Sequence, residues 1–301
     1  CYGTVPISPL LFQDDVFSLS ETVNAARASL QKVNSVMKQK RLTLNKDKTA
    51  YILFGQQEKQ DQIREALKLE PLICGSFEVQ EKQFDKYLGE IFHSDGLSRS
   101  AIETIRARTG KIKAVSFEIR AIIEDYRSEV VGGALCGLEL WRLCALPSLL
   151  SSCSTWMEVT EQSVEIAEQL QLYFLRLLFK VPKSCPRAAL RSESGCISIK
   201  YHIIIAKLTL LFHIRNMEDT ALAKQIYTQQ LNYGWPGLIK EGVKYCEELG
   251  IPDVTKVKVS EKEFKVMVKK ACRLKDEEEL KLNIFSKEKL QLLREEDCRQ
   301  K

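Results

Sequence analysis

Apolar and polar positions fall into two textures along the chain. Residues 6 to 55 read as strand, helix, strand. Pro6 and Pro9 punctuate the start, and Leu10-Leu11-Phe12 is a short apolar run suited to a buried strand. Gln13-Asp14-Asp15 breaks that run with turn-forming residues and Val16-Phe17 resumes it, so the pattern predicts a β-hairpin with the acids at its tip. Ser18-x-x-Glu21 has the spacing of a capping box. Leu19, Val23, Ala26, Leu30, Val33 and Met37 then recur every three or four residues, making one apolar face of a helix with Arg27, Gln31 and Lys38 mostly on the other. From Leu42 to Phe54 apolar residues flank the polar stretch Asn45 to Lys48, and Gly55 ends the segment. A further short strand or hairpin is expected between Phe77 and Phe92.

After Ser98 the period becomes helical and stays so. Ser100-x-x-Glu103 reads as a second capping box, followed by Ile102, Ile105, Ile112, Val115, Ile119 and Ile122. Thr155-x-x-Glu158 is expected to open a third amphipathic helix running to about Lys180. Pro182, Pro186 and Gly195 mark a loop, Ile199 to Met217 another apolar helix, and Asn232 to Gly237 a strong break. The tail from Lys256 mixes both charges densely and reads as exposed helices. The expected class is α+β: a small mixed piece followed by mostly helical chain.

Composition narrows this picture only at the margins. Among 301 residues, 45 % hydrophobic and 28 % charged are ordinary globular values and exclude wholesale disorder. The net charge of +5 is too small to argue for a polyanionic partner, which only local clustering of bases could do. Ten scattered cysteines, none at C-x-x-C spacing, argue against a disulfide scaffold or a closed zinc site and suit reduced thiols of an intracellular protein. The longest uncharged run, Leu143 to Met157, is shorter than the roughly 18 residues of a membrane span and contains Pro147, so no membrane partner is expected. The chain opens Cys1-Tyr2-Gly3 and its first methionine is Met37, which predicts a fragment of a longer protein.

Three clusters can carry chemistry. Asp14 and Asp15 are adjacent carboxylates whose repulsion a divalent cation would relieve, as oxygen ligands do for Mg²⁺ in nucleotidyl transfer. The same pair is also ordinary turn chemistry. Arg99, Arg106, Lys113 and Arg120 recur every seven residues on the Ile-rich helix, with Arg108 and Lys111 nearby. Such a stripe can follow a phosphate backbone without reading sequence, or can simply be a solvated face. His93, His202 and His213 stand alone and suggest packing or surface roles.

Order and spacing add a resemblance. Pro9-Leu10-Leu11-Phe12-Gln13-Asp14-Asp15-Val16 resembles the catalytic hairpin of reverse transcriptases from non-LTR (LINE-type) retrotransposons. A helix follows, then Asn45-Lys46-Asp47-Lys48-Thr49 is similar to the family's N-x-x-K-T element, and Tyr87-Leu88-Gly89 to its Y-L-G turn. Pro182 to Met217 is also similar, more loosely, to the region after the thumb in site-specific elements carrying a restriction-like endonuclease.

The resemblance implies a partial polymerase palm of short antiparallel strands and one helix over 1–95, a helical thumb over 96–181 and a helical linker over 182–301. It implies Asp14 and Asp15 as catalytic, metal-binding carboxylates for Mg²⁺, two ions in the intact parent. Lys48 would be a catalytic lysine able to protonate departing pyrophosphate. Tyr87, Leu88 and Gly89 would form the primer grip, and Arg99, Arg106, Arg108, Lys111, Lys113 and Arg120 a nucleic-acid-binding stripe. The implied partners are an RNA template, a DNA primer, deoxynucleotides and the missing N-terminal polymerase portion, with the nucleus as location.

The departures weigh against independent catalysis. The family's further metal-binding Asp and its fingers lie upstream of the hairpin, and only thirteen residues precede Asp14. Two-metal chemistry needs carboxylates from both strands, so the expected piece binds nucleic acid and does not polymerise. The rival expectation is a decayed or co-opted helical interaction protein. Arg41 stands where a Gly commonly ends the helix after the hairpin.

Overall fold

The computed structural model describes residues 9–12, 15–125, 132–234 and 237–286. Gln13, Asp14, Trp235, Pro236 and the end of the charged tail (287–301) lie outside them. The chain is of the α+β class and divides into two compact units, 1–104 and 105–301. The first division therefore falls inside the long third helix rather than at 95/96. Segments expected as separate thumb and linker share packing in the second unit, where the Gln171 amide donates to the Ile197 carbonyl.

The first unit begins with the expected hairpin. Strands β1 (Leu10–Phe12) and β2 (Asp15–Phe17) pair antiparallel, with Leu10 opposite Phe17 and Phe12 opposite Asp15. Helix α1 (Val23–Gln39) follows, capped by Thr22, whose hydroxyl accepts from the Ala25 amide. The cap thus falls four residues beyond Ser18. A 3₁₀ turn at Lys46–Lys48 leads to β3 (Ala50–Tyr51). Helix α2 (Gln57–Leu69) was not legible in the periodicity, because its first six residues are polar and apolar ones enter only at Ile63, Ala66, Leu67 and Leu69.

Four short strands follow, β4 (Ile73–Cys74), β5 (Phe77–Glu78), β6 (Gln80–Glu81) and β7 (Phe84–Tyr87), before β8 (Glu90–His93) closes a hairpin with β7. The four sheets among the described residues are all two-stranded, and β3 with β6 is a parallel pair where only antiparallel strands were expected. The core is small: Leu67, Leu72, Cys74 and Val79, with Val23, Ala26 and Leu30 of α1 packed against it.

Helix α3 (Leu97–Asp125) starts ahead of its expected cap. Ser100 lies in the first turn, where its hydroxyl donates to the Gly96 carbonyl and accepts from the His93 amide, and the Thr104 hydroxyl accepts from the Ile91 amide. The two hydroxyls thus satisfy backbone donors of β8 that no neighbouring strand reaches.

The second unit is helical throughout. After α4 (Gly133–Leu140) a π-helical turn, Trp141–Ala145, runs into α5 (Leu146–Leu149). Pro147 lacks the amide that an uninterrupted α-helical ladder would need. Thr155 ends a 3₁₀ turn instead of capping a helix, and α6 (Glu161–Phe179) begins after Thr160, whose hydroxyl accepts from the Ser163 amide. The order continues with α7 (Arg187–Ser194), α8 (Ile199–Arg215), α9 (Leu222–Tyr233), α10 (Leu238–Leu249) and α11 (Glu261–Phe285).

Helix α8 is buried almost all round, and α11 docks on it through Phe264, Val268 and Cys272. Phe212 and Phe264 stack with ring centroids 4.3 Å apart. The described part of the charged tail, expected as exposed helix, is therefore exposed on one side only in α11, since the three-residue apolar stripe pins that helix to the core.

Polar groups buried in this core are networked. Asp276 accepts from Arg191 and from the Ser198 amide. Glu168 Oε1 accepts from the Ser198 hydroxyl and, at 2.6 Å, from the Ile199 amide, so two carboxylates serve the open amides at the start of α8. The fully buried Lys207 ammonium donates to Glu241.

Candidate nucleic-acid interface

Two of the sequence motifs become turns, and the third falls on a hairpin whose tip lies outside the described residues. The β1–β2 register leaves two residues, Gln13 and Asp14, between paired strands, with Asp15 exposed as the first residue of β2. Asp15 and Phe17 alternate with Val16 and so share a face of the strand. Phe17 meets the second hairpin: its ring centroid lies 5.1 Å from Tyr87 and 5.3 Å from Phe92. The hairpin bearing the acid therefore packs on the hairpin bearing Tyr87-Leu88-Gly89, over seventy residues on, and no local pattern in the sequence marks that contact.

The Tyr87-Leu88-Gly89 turn has a specific conformation. Tyr87 pairs with Glu90, and the two residues between them have φ of 50° at Leu88 and 87° at Gly89. Positive φ at both central positions is a type I′ hairpin turn, which Asn-Gly or Gly-Gly adopts without strain. Leu88 instead holds a left-handed conformation with its side chain 49 % exposed. Neither folding propensity nor burial favours a leucine there.

Asn45-x-x-Lys48-Thr49 is a self-capping turn. The Asn45 side chain accepts from the amides of Asp47 (2.9 Å) and Lys48 (3.3 Å), and the Thr49 hydroxyl donates to the Asn45 carbonyl at 2.7 Å. The motif's Asn and Thr thus fix the backbone that presents Lys48, which is exposed. The preceding helix ends with the Leu42 amide on the Met37 carbonyl and the Arg41 amide on that of Lys38. That pattern requires a left-handed residue, and Arg41 supplies it at φ 58° in the place glycine usually takes.

The basic stripe divides by where each side chain goes. Arg106, Lys111 and Lys113 are exposed on α3, and Lys113 also lies 5.6 Å from the centroid of Tyr173 on α6. Arg99 pairs with Glu103 and Arg120 with Glu124, both one turn on. Arg108 turns away to donate to the carbonyls of Leu149 (3.0 Å) and Ser151 (2.8 Å), with its guanidinium 5.8 Å from the Trp156 ring. Lys111 is two positions from Lys113, hence on roughly the opposite side of the helix. The seven-residue set shares a face, and the two residues added to it do not.

Metal chemistry finds a thin donor set. Asp15 is the described member of the acidic pair, and among the described residues no three of His, Cys, Asp or Glu come together as ligands. His93 accepts from the Asp95 amide through Nδ1 and stacks on Phe84, and His213 lies 3.4 Å from Glu261. Burial and Arg273 push the His202 imidazole down to about 4, which keeps it neutral.

Comparison of the chain with protein-family models, with curated proteins and with solved structures finds no match.

Proposed function

We propose that this chain is the carboxy-terminal part of a retrotransposon reverse transcriptase that binds nucleic acid and does not polymerise on its own. The observation that carries the reading is the contact of Phe17 with Tyr87 and Phe92, because a polymerase needs its acidic hairpin beside the turn that grips the primer end. The capped turn that presents Lys48 adds support, since a fixed exposed ammonium suits a leaving pyrophosphate.

In the intact parent Asp14 and Asp15 would hold Mg²⁺ together with a carboxylate from another strand, and the ions would supply Lewis-acid activation of the nucleotide. The template is RNA, the primer DNA, and the working location the nucleus. On this reading Arg106, Lys113 and Arg120 contact backbone phosphates.

A salt titration of binding to an RNA–DNA hybrid tests this. Affinity should fall steeply with salt, and neutralising those three residues together should lower the slope of log K against log salt by about 2 to 3. No binding at low salt, or a salt-independent affinity, ends the proposal.

A second reading, a helical interaction protein without nucleic-acid role, draws on Leu135 and Leu143, which stand 70 % and 67 % exposed on the second unit. It predicts that the triple neutralisation changes nothing while the fold stays intact.

A further inference from the structure

Two helices of the second unit meet along a seam that mixes cations with aromatic rings. On α3, Lys113, Phe117, Arg120 and Glu124 follow at spacings of four, three and four, so they share one face. On α6, Tyr173 and Arg176 are three residues apart and share a face, and Lys180 follows as the residue that caps the helix end. The faces touch at both ends. Phe117 sets its ring edge-on to Tyr173, with centroids 6.1 Å apart and planes at 69°, and Lys113 sits over the same tyrosine. Further along, Lys180 and Arg120 both reach Glu124, at 2.7 and 3.2 Å.

Two features of the seam are unexplained by folding. Phe117 is 54 % exposed, although Ile112, Ser116 and Ile119 on the same helix are fully or nearly buried. Arg176 has its Nε buried with no hydrogen-bond partner. Within the seam, four cations stand against one carboxylate, Glu124, which two of them already share. Glu118 is one residue from Phe117 and so roughly 100° round the helix. An apolar protein partner would have to strand those cations, whereas a polyanion bearing flat rings satisfies both parts of the surface.

We propose that this seam binds single-stranded nucleic acid, with an unpaired base stacked on the open face of Phe117 and the flanking phosphates held by Lys113, Arg120, Arg176 and Lys180. The inference rests on the nucleic-acid reading above and extends it, by naming the strand state and the ring that detects it. Tyr173 positions the ring through this T-shaped contact, and Phe117 stays half-exposed to solvent beside it. Duplex bases are stacked on one another and offer no free face, so the aromatic contact favours single strands while the cations serve both.

Fluorescence anisotropy with the whole chain tests the proposal on three labelled probes of about twenty nucleotides, a few times the length one stacking groove covers. The probes are oligothymidylate, the same strand with abasic residues, and a duplex. Phe117→Ala should weaken oligothymidylate about tenfold and leave the abasic strand and the duplex unchanged, and Phe117→Tyr should restore the loss. Arg176→Gln should weaken all three. If Phe117→Ala changes none of the probes, or all three equally, the stacking site is overturned. The nucleic-acid reading then still stands wherever neutralising Arg106, Lys113 and Arg120 lowers the salt slope of binding to the RNA–DNA hybrid. If the folded wild-type chain binds none of the probes, both readings fall.

Discussion

The two units bury their apolar residues by different means. In the first, helices α1 and α2 and the short strands β3, β4 and β5 gather around Leu67, Leu72, Cys74 and Val79, and α1 has no buried residue although its apolar face is continuous in sequence. In the second, α8 is surrounded by α6, α10 and α11 and contributes eight buried residues by itself. Helices satisfy their own backbone, so the second unit can stack them until a core closes. Two-residue strands cannot do this, and every strand described here is an edge. The contrast separates where stability resides from where the acidic hairpin and the two positive-φ surface turns sit.

The sharpest way to break the contrast is a matched pair of cavities. Leu208→Ala empties a site of zero exposure and should cost about 3–5 kcal/mol, while Leu72→Ala in the smaller core should cost about 2–3 because its thinner surroundings can collapse. Trp141 and Trp156 are buried in the second unit, so tryptophan fluorescence in a denaturant titration follows that unit, and amide exchange follows the first. Equal losses would show that the two cores unfold as one.

Acid should act on the second unit. His202 is neutral in the fold, with its pKa pushed from 6.5 to about 4 by burial and by Arg273, so the unfolded chain takes up the proton first. Its contribution is complete above pH 6.5 and is lost as pH falls toward 4, by about 2–3 kcal/mol. His202→Leu should flatten that window in melts recorded between pH 7 and pH 4.

The smallest effects concern the strained turns of the first unit. Arg41→Gly should stabilise it by about 0.5–1 kcal/mol, because the left-handed position at the end of α1 is free of strain only for glycine. Leu88→Asn should gain a similar or smaller amount at the type I′ turn. On the polymerase reading, that second gain comes with weaker primer binding, and a stabilised variant with unchanged binding would remove Leu88 from the interface.

Much of this was legible locally and little of it at a distance. The hairpin at residues 10–17, the face of α1, the helix from Ile199 and the break before Gly237 follow from period and punctuation alone. Capping patterns misled, because Ser18, Ser100 and Thr155 have the right spacing but tertiary structure puts the helix starts elsewhere: Thr22 and Thr160 hold two of the caps, and Ser100 serves β8. Charge density misled at α11, where Phe264, Val268 and Cys272 were outnumbered in sequence but not in packing. In the turn before β3, the self-capping of Asn45 and Thr49 could have been derived from their spacing. The Phe17–Tyr87 contact and the Phe117–Tyr173 seam could not, since each joins residues more than fifty positions apart.

The cysteines give each half of the molecule its own clock. All eight described are free thiols, and burial raises the pKa of Cys74 in one core and of Cys246 and Cys272 in the other, the last to about 12. Such thiols are inert toward a disulfide reagent until the surrounding core opens, whereas Cys144 on the surface reacts at once. Labelling followed by peptide mass mapping would therefore time the opening of the two cores separately in a single unmodified chain. An oxidising burst would mark the exposed sulfur first and record, in the order of the rest, which half had loosened.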